Sequence, residues 1–224
     1  MAINELGKSI KSMPCWVTDA VKEVNLSELI KDQSKPGEPP VTNISVYNAL
    51  KVIYFLMAAD GHVYHDEEEK FDAIASSLDP EFAAHKEQLV GECQSFMENI
   101  TDTDDLYGVL QDGMEESLIS PDNNNDSFVT PKLLVWDLLG IAYSDEKYDE
   151  AERRLIEYVV WKLDVDKAVF AEMESTYITL TELENELWWI KNTDRPYLQI
   201  EAMVKEIENR KKVISKSVED LITL

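Results

Sequence analysis

An all-α fold, a compact bundle of several helices, is what the sequence predicts, on three observations. Apolar residues recur at i, i+3, i+4 and i+7 through most of the chain. Runs of alternating β-branched residues bounded by hairpin turns are missing, so no sheet is expected. One helix, acidic elbow, helix pattern also occurs twice at a fixed spacing, the mark of an internal repeat. At 224 residues the chain can bury a full core without disulfides or a structural metal.

Residues 1–42 are read as an N-terminal segment, a short amphipathic helix with Val17, Val21 and Val24 on one face. The linker "KDQSKPGEPPVTN" follows it, marked by its prolines and glycine. Residues 43–180 are read as one helical domain. Its first helix carries Leu50, Ile53, Tyr54 and Met57 on one face, and after the elbow "ADGHVYHDEEEK" a second carries Phe71, Ile74, Ala75 and Leu78. Leu89, Cys93, Phe96 and Ile100 continue the pattern. A further helix over Thr101 to Leu118 starts in the capping residues "TDTDD". A polar loop at 120–131 interrupts the domain. The helix pair then returns, with Val135, Leu138, Leu139 and Ala142 before the elbow "YSDEKYDEAERR" and Ile156, Val159, Val160 and Leu163 after it, followed by Phe170, Met173 and Tyr177. Residues 181–224 are read as a C-terminal helical extension that packs on the bundle or on a partner, its apolar seam running from Leu183 to Leu221.

The two helix pairs superpose without a gap at an offset of 85 residues, as 135 stands to 50. Leu50 matches Val135, Ile53 Leu138, Asp60 Asp145, Glu67 Glu152, Phe71 Ile156 and Leu78 Leu163. Duplication of a helix pair accounts for this economically, since coincident acids are harder to match by chance than apolar periods.

Each elbow has a structural reading and a chemical one. Gly61, just past the end of the first helix, suits a left-handed turn, whereas Glu146 stands at its place in the second elbow. Val63 and Tyr148 are expected to tuck between the helices. Asp149 and Glu152 have the spacing of a capping box; Tyr64 cannot serve as Asp149 does, and Asp66 with Glu69 offers a box displaced by two residues. The chemical reading is a divalent-cation site of hard oxygens from Asp60 and Glu67, and again from Asp145 and Glu152. From Asp60 to Glu69 there are five acids and no Lys or Arg, while Asp145 to Arg154 sets five acids against three bases, so the first elbow should bind more strongly. His62, His65 and Asp66 are possible additional ligands, with Zn²⁺ as the ion they would favour. The spacing does not fit an EF-hand loop.

Composition narrows the function classes. A formal charge of -24, from 45 acids and 21 bases, opposes nucleic acid and anionic bilayers and favours cations or basic protein surfaces. Cys15 and Cys93 are too few for a disulfide framework, and neither a signal-type run nor a spanning stretch is found, so a cytoplasmic protein is expected without direct membrane insertion. No nucleophile elbow, phosphate loop or dinucleotide fingerprint is present, and no enzyme activity is expected. Trp188 and Trp189 are candidate partner anchors, one of the pair expected to face the core and the other to stand half-exposed.

"LMAADGHVYHDEEEKFDAI" resembles the signature of the tellurite-resistance TerB-like family, and "DLLGIAYSDEKYDEAERRLIEYV" is similar to that family's second elbow. The resemblance covers about residues 43–175. It implies a helical bundle with internal pseudo-symmetry, and metal binding at acidic elbow residues, here Asp60, Glu67, Asp145 and Glu152. It also implies an accessory role beside stress-response proteins, some of them membrane-associated. Two functions follow. The first is a non-enzymatic stress or tellurite-resistance-related module binding Ca²⁺ or Mg²⁺, ahead of Mn²⁺ or Zn²⁺. The alternative is a protein-interaction adaptor or scaffold whose elbows are only structural caps.

Overall fold

The structure, a computed structural model, describes residues 43–61, 63–98, 103–119, 127–144 and 148–223. The expected helix around Val17 to Val24, and His62, Asp145 and Glu146, lie outside them.

Ten elements follow one another in the described residues: β1 (Ile44–Ser45), α1 (Val46–Met57), α2 (His65–Leu78), α3 (Phe82–Met97), α4 (Thr103–Ile119), β2 (Phe128–Val129), α5 (Pro131–Ala142), α6 (Glu150–Lys162), α7 (Lys167–Lys191) and α8 (Tyr197–Thr223). The all-α bundle expected from the apolar period is the architecture found. The expectation of no sheet needs one correction. β1 and β2 pair antiparallel, Ile44 opposite Val129 and Ser45 opposite Phe128. Two residues per strand are too few to display an alternation, which is why no period announces this ladder.

The ladder sets two helix starts side by side. Ser45 Oγ accepts from Asn48 N at 3.2 Å, and Thr130 Oγ1 accepts from Leu133 N at 3.3 Å, each satisfying an amide that the first helical turn leaves unpaired. Pro131, whose missing N–H is harmless at the first helical position, reinforces the second start. Three helix starts recur at the same offset: 46 and 131, 65 and 150, 82 and 167.

α1 and α5 are the two central helices. α1 packs on α2, α3 and α4 and across on α5 and α6; α5 packs on α6, α7 and α8 and across on α1 and α2. Val52, Ile53, Leu56, Leu134, Leu138 and Ile141 are fully buried between them and their neighbours. Each such side chain contributes about 1.5 to 3 kcal/mol of transfer free energy.

The halves part company after their third helix starts. α3 and α4 have 16 and 17 residues, but α7 and α8 have 25 and 27. α7 runs unbroken through residue 180. The bundle core takes Phe170, Met173 and Tyr177 from α7 and Leu221 and Ile222 from α8, and Lys132 Nζ donates to the Leu221 carbonyl at 3.3 Å. Between those points the helices form an apolar cluster of their own, Leu183, Ile190, Ile200, Val204 and Ile207. Residues 178–217 are thus a two-helix arm, about 20 Å long at 1.5 Å per residue.

Candidate functional site

At the first elbow, Asp60 is exposed in the turn after α1. Gly61 takes φ +83°, the left-handed conformation expected of it, and its amide donates to the Ala58 carbonyl at 3.0 Å. Val63 is exposed, a correction to its expected place between the helices: it lies in the irregular chain ahead of the extended N-cap Tyr64 with its side chain in solvent. α2 then starts with Tyr64 as N-cap. Glu67 is only 4% exposed, and its Oε2 accepts from Tyr64 N at 2.8 Å. Tyr64 returns no side-chain cap bond, because its hydroxyl sits at the far end of a rigid ring. The displaced box at Asp66 and Glu69 is therefore corrected to a one-sided box at Tyr64 and Glu67. His65 and Asp66 are exposed on the first turn, with His65 Nε2 lying 3.4 Å from Glu69 Oε1.

The second elbow carries the reciprocal version. Asp149 Oδ1 accepts from Glu152 N at 2.9 Å, and Glu152 Oε2 accepts from Asp149 N at 2.9 Å, the box expected from the spacing. Glu152 is 7% exposed. Tyr148 is largely buried, as expected. Its ring lies 4.8 Å from that of Tyr143, and its hydroxyl donates to Glu174 Oε1 at 3.2 Å. Among the described residues no group of three or more His, Cys, Asp or Glu is placed to hold a metal ion. His62 and Asp145, each one of the expected ligands, lie outside the described residues. Both buried glutamates spend an oxygen on a backbone amide that would otherwise be orphaned.

Sequence reasoning passed over a polar cluster between α2, α5 and α7. Asp137 Oδ2 is buried without a hydrogen-bond partner among the described residues, and burial pushes its carboxyl up to about 7, with the Lys70 ammonium pulling the other way. The Tyr177 hydroxyl sits over bare α5 backbone, so close that a Cβ at Gly140 would come within 2.7 Å of it. The Tyr177 ring lies 4.4 Å from Trp136 and 5.6 Å from Tyr143, and its hydroxyl is held protonated by burial and by the charges of Asp137 and Glu184. The signal was available: Asp137 is a lone acid in the run "LLVWDLLGIA". Cys93 is fully buried and its thiol is raised to about 12 by burial, which removes it as a nucleophile at neutral pH.

The arm carries the tryptophans. Trp188 is 66% exposed and Trp189 56%, so neither faces the core as one was expected to. Leu187 and Ile190 instead fill the narrow seam between α7 and α8, and adjacent helical positions about 100° apart cannot share that seam with them. Tyr197 and Leu198 stand exposed across the turn from the tryptophans. No helix among the described residues is long and apolar enough to cross a membrane.

A family model described as tellurite resistance protein TerB matches residues 48–175. The match takes in both elbows and stops at the foot of the arm. No curated protein and no solved structure matches the chain.

Proposed function

The chain belongs to the TerB tellurite-resistance family, and on that premise we propose that it is a non-enzymatic interaction module whose contact surface is the α7–α8 arm, the acidic elbows serving as helix caps. The observation that carries this reading is the exposure of both Trp188 and Trp189 on an arm that extends beyond the family's matched region. Tryptophan is the residue most enriched in interface hot spots, and two exposed in succession are costly to leave in water unless something covers them. The partners are proteins rather than nucleic acid, which the charge of -24 repels.

A pull-down from cell extract tests the reading with the full chain and its Trp188→Ala/Trp189→Ala variant. Cutting the chain near residue 180 is unsuitable, because Leu221 and Ile222 pack back on the core. Partners recovered by the full chain and lost from a variant with unchanged circular dichroism support the arm. Equal recovery by both contradicts it.

A second reading keeps the cation. Its specific support is that both elbows bury a glutamate at the same offset, Glu67 and Glu152, with Asp60 in the turn ahead of the first. Ca²⁺ or Mg²⁺ would draw on those carboxylates and on loop carbonyls. Titration calorimetry on chelator-treated protein, repeated with Asp60→Asn and Glu67→Gln, tests it. Binding that both substitutions weaken favours the ion, and no heat at millimolar ion removes it.

A further inference from the structure

The arm differs from the rest of the molecule in charge as well as shape. Residues 178–217 hold seven Asp and Glu and seven Lys and Arg, so the entire formal charge of -24 lies outside them. Of the ten large apolar side chains exposed among the described residues, six are on this arm: Trp188, Trp189, Tyr197, Leu198, Met203 and Val213. Along one flank runs an open groove between α7 and α8, floored by Leu183, Ala202, Val213 and Ile214 and edged by Lys205 and Arg210. Building on the reading of the arm as the contact surface, we infer that its occupant is a second copy of this chain, two arms lying antiparallel to complete a four-helix bundle.

Charge selects this occupant. Glu184 pairs with Lys211, Glu208 with Lys191, Glu201 with Lys205 and Glu206 with Arg210, all within the arm. Six ionised groups remain without an ion pair among the described residues, three of each sign. Asp194 and Arg195 stand at the tip, Glu182 and Glu186 on α7, and Lys212 and Lys216 toward the foot of α8. Laying a second arm antiparallel sets each tip against the other's foot, where Asp194 meets Lys212 and Lys216, and Arg195 meets Glu182. A two-fold contact must be self-complementary, and equal numbers of both signs, with acid and base at opposite ends of the arm, allow it. The bundle, residues 43–177, holds 30 acids against nine bases and repels its own copy. An anionic bilayer or a nucleic acid calls for an excess of base, which the arm does not have. Packing supplies the drive, since a helix pair standing alone buries one seam and leaves its remaining apolar faces wet, and helices draw most of their stability from tertiary packing.

Sedimentation equilibrium of the full chain from about 1 to 100 µM tests the inference, because association must follow concentration. The mass should rise toward twice 25.7 kDa. Val213→Glu, at a side chain 70% exposed, should weaken association by about tenfold or more. Trp189→Glu serves as the second variant should Val213→Glu alter the circular dichroism. Arg195→Glu alone and Glu182→Arg alone should each weaken the dimer, and the two together should restore it, a coupling that only facing residues produce. A monomer at every concentration overturns the inference, while the arm itself still stands if the pull-down depends on Trp188 and Trp189. A dimer indifferent to all these substitutions places the contact elsewhere and overturns it as well. So does a monomer that floats with phosphatidylcholine vesicles in a tryptophan-dependent way, which would assign the arm to lipid.

Discussion

Set beside each other, the two halves of the molecule agree where the fold is made and differ where nothing in the fold requires it. Both open on a strand residue and a hydroxyl cap, Ser45 and Thr130, and both bury a glutamate at the third position of the helix after the elbow. The N-cap residue itself is not kept. It is Asp149 in one half and Tyr64 in the other, so the carboxylate that accepts from Glu152 N has no counterpart at Tyr64, while the N-cap amide is served by a glutamate in both. The pairs Asp60 with Glu67 and Asp145 with Glu152 recur in both halves, and each glutamate already accepts from the N-cap amide of its helix, which is what a cap does. The halves differ again at Asp137, which stands where the first half has the fully buried Val52, and in the arm, where α7 and α8 outrun α3 and α4. Shared features therefore read as structure, and the arm as the place to look for function.

The largest expected effect tests the Val52 and Asp137 difference. Asp137 has its carboxyl raised from 3.8 to about 7 by burial. A carboxyl whose folded pKa lies above its unfolded value costs stability as pH rises through that window and costs nothing below it, where both states are protonated. Asp137→Asn should raise the unfolding free energy at pH 8 by roughly 2 to 4 kcal/mol, at about 1.4 kcal/mol per pK unit. The gain should vanish near pH 4, and urea titrations at the two pH values check it. An equal gain at both would assign the effect to packing.

Next come the glutamates. Glu152→Ala and Glu67→Ala each strand an N-cap amide and should cost about 1 to 3 kcal/mol in urea unfolding. Glu152→Gln and Glu67→Gln, which retain an acceptor oxygen, should cost less than the alanines. Equal costs for Gln and Ala would mean that the negative charge matters rather than the bond. Gly61→Ala then forces a Cβ into the left-handed region at φ +83° and should cost about 1 to 2 kcal/mol. The smallest effect should be a gain. Tyr64→Asp supplies the carboxylate that Asp149 provides in the other half and should stabilise by about 0.5 to 1 kcal/mol, read as a higher melting temperature. A loss instead would show that the Tyr64 ring holds the elbow by packing.

How much of this was legible depended on length of pattern. α1, α2, α5 and α6 announce themselves because each keeps one apolar face over three turns, and the Asp149 and Glu152 box because capping has a fixed spacing. Glu67 was legible as a residue to single out but not in its role, since an aromatic N-cap hides a one-sided box. The exposure of Trp188 and Trp189 could not be read from spacing, because adjacent residues on a helix differ by about 100° and only the neighbour's position says which is covered. Asp137 was visible as an isolated acid, but its burial depends on where α2 and α7 cross α5.

The claim that the buried glutamates are caps is tested most directly by the unfolding free energy of the full chain in chelator against the same protein in millimolar Ca²⁺ or Mg²⁺. An ion bound by the folded state alone adds about 2.7 kcal/mol when present at a hundred times its dissociation constant. If the glutamates are caps alone, stability is equal in all three solutions for the wild type, for Glu67→Gln and for Glu152→Gln. An increase with ion in the wild type that disappears in Glu67→Gln would contradict that role and make the first elbow a cation site.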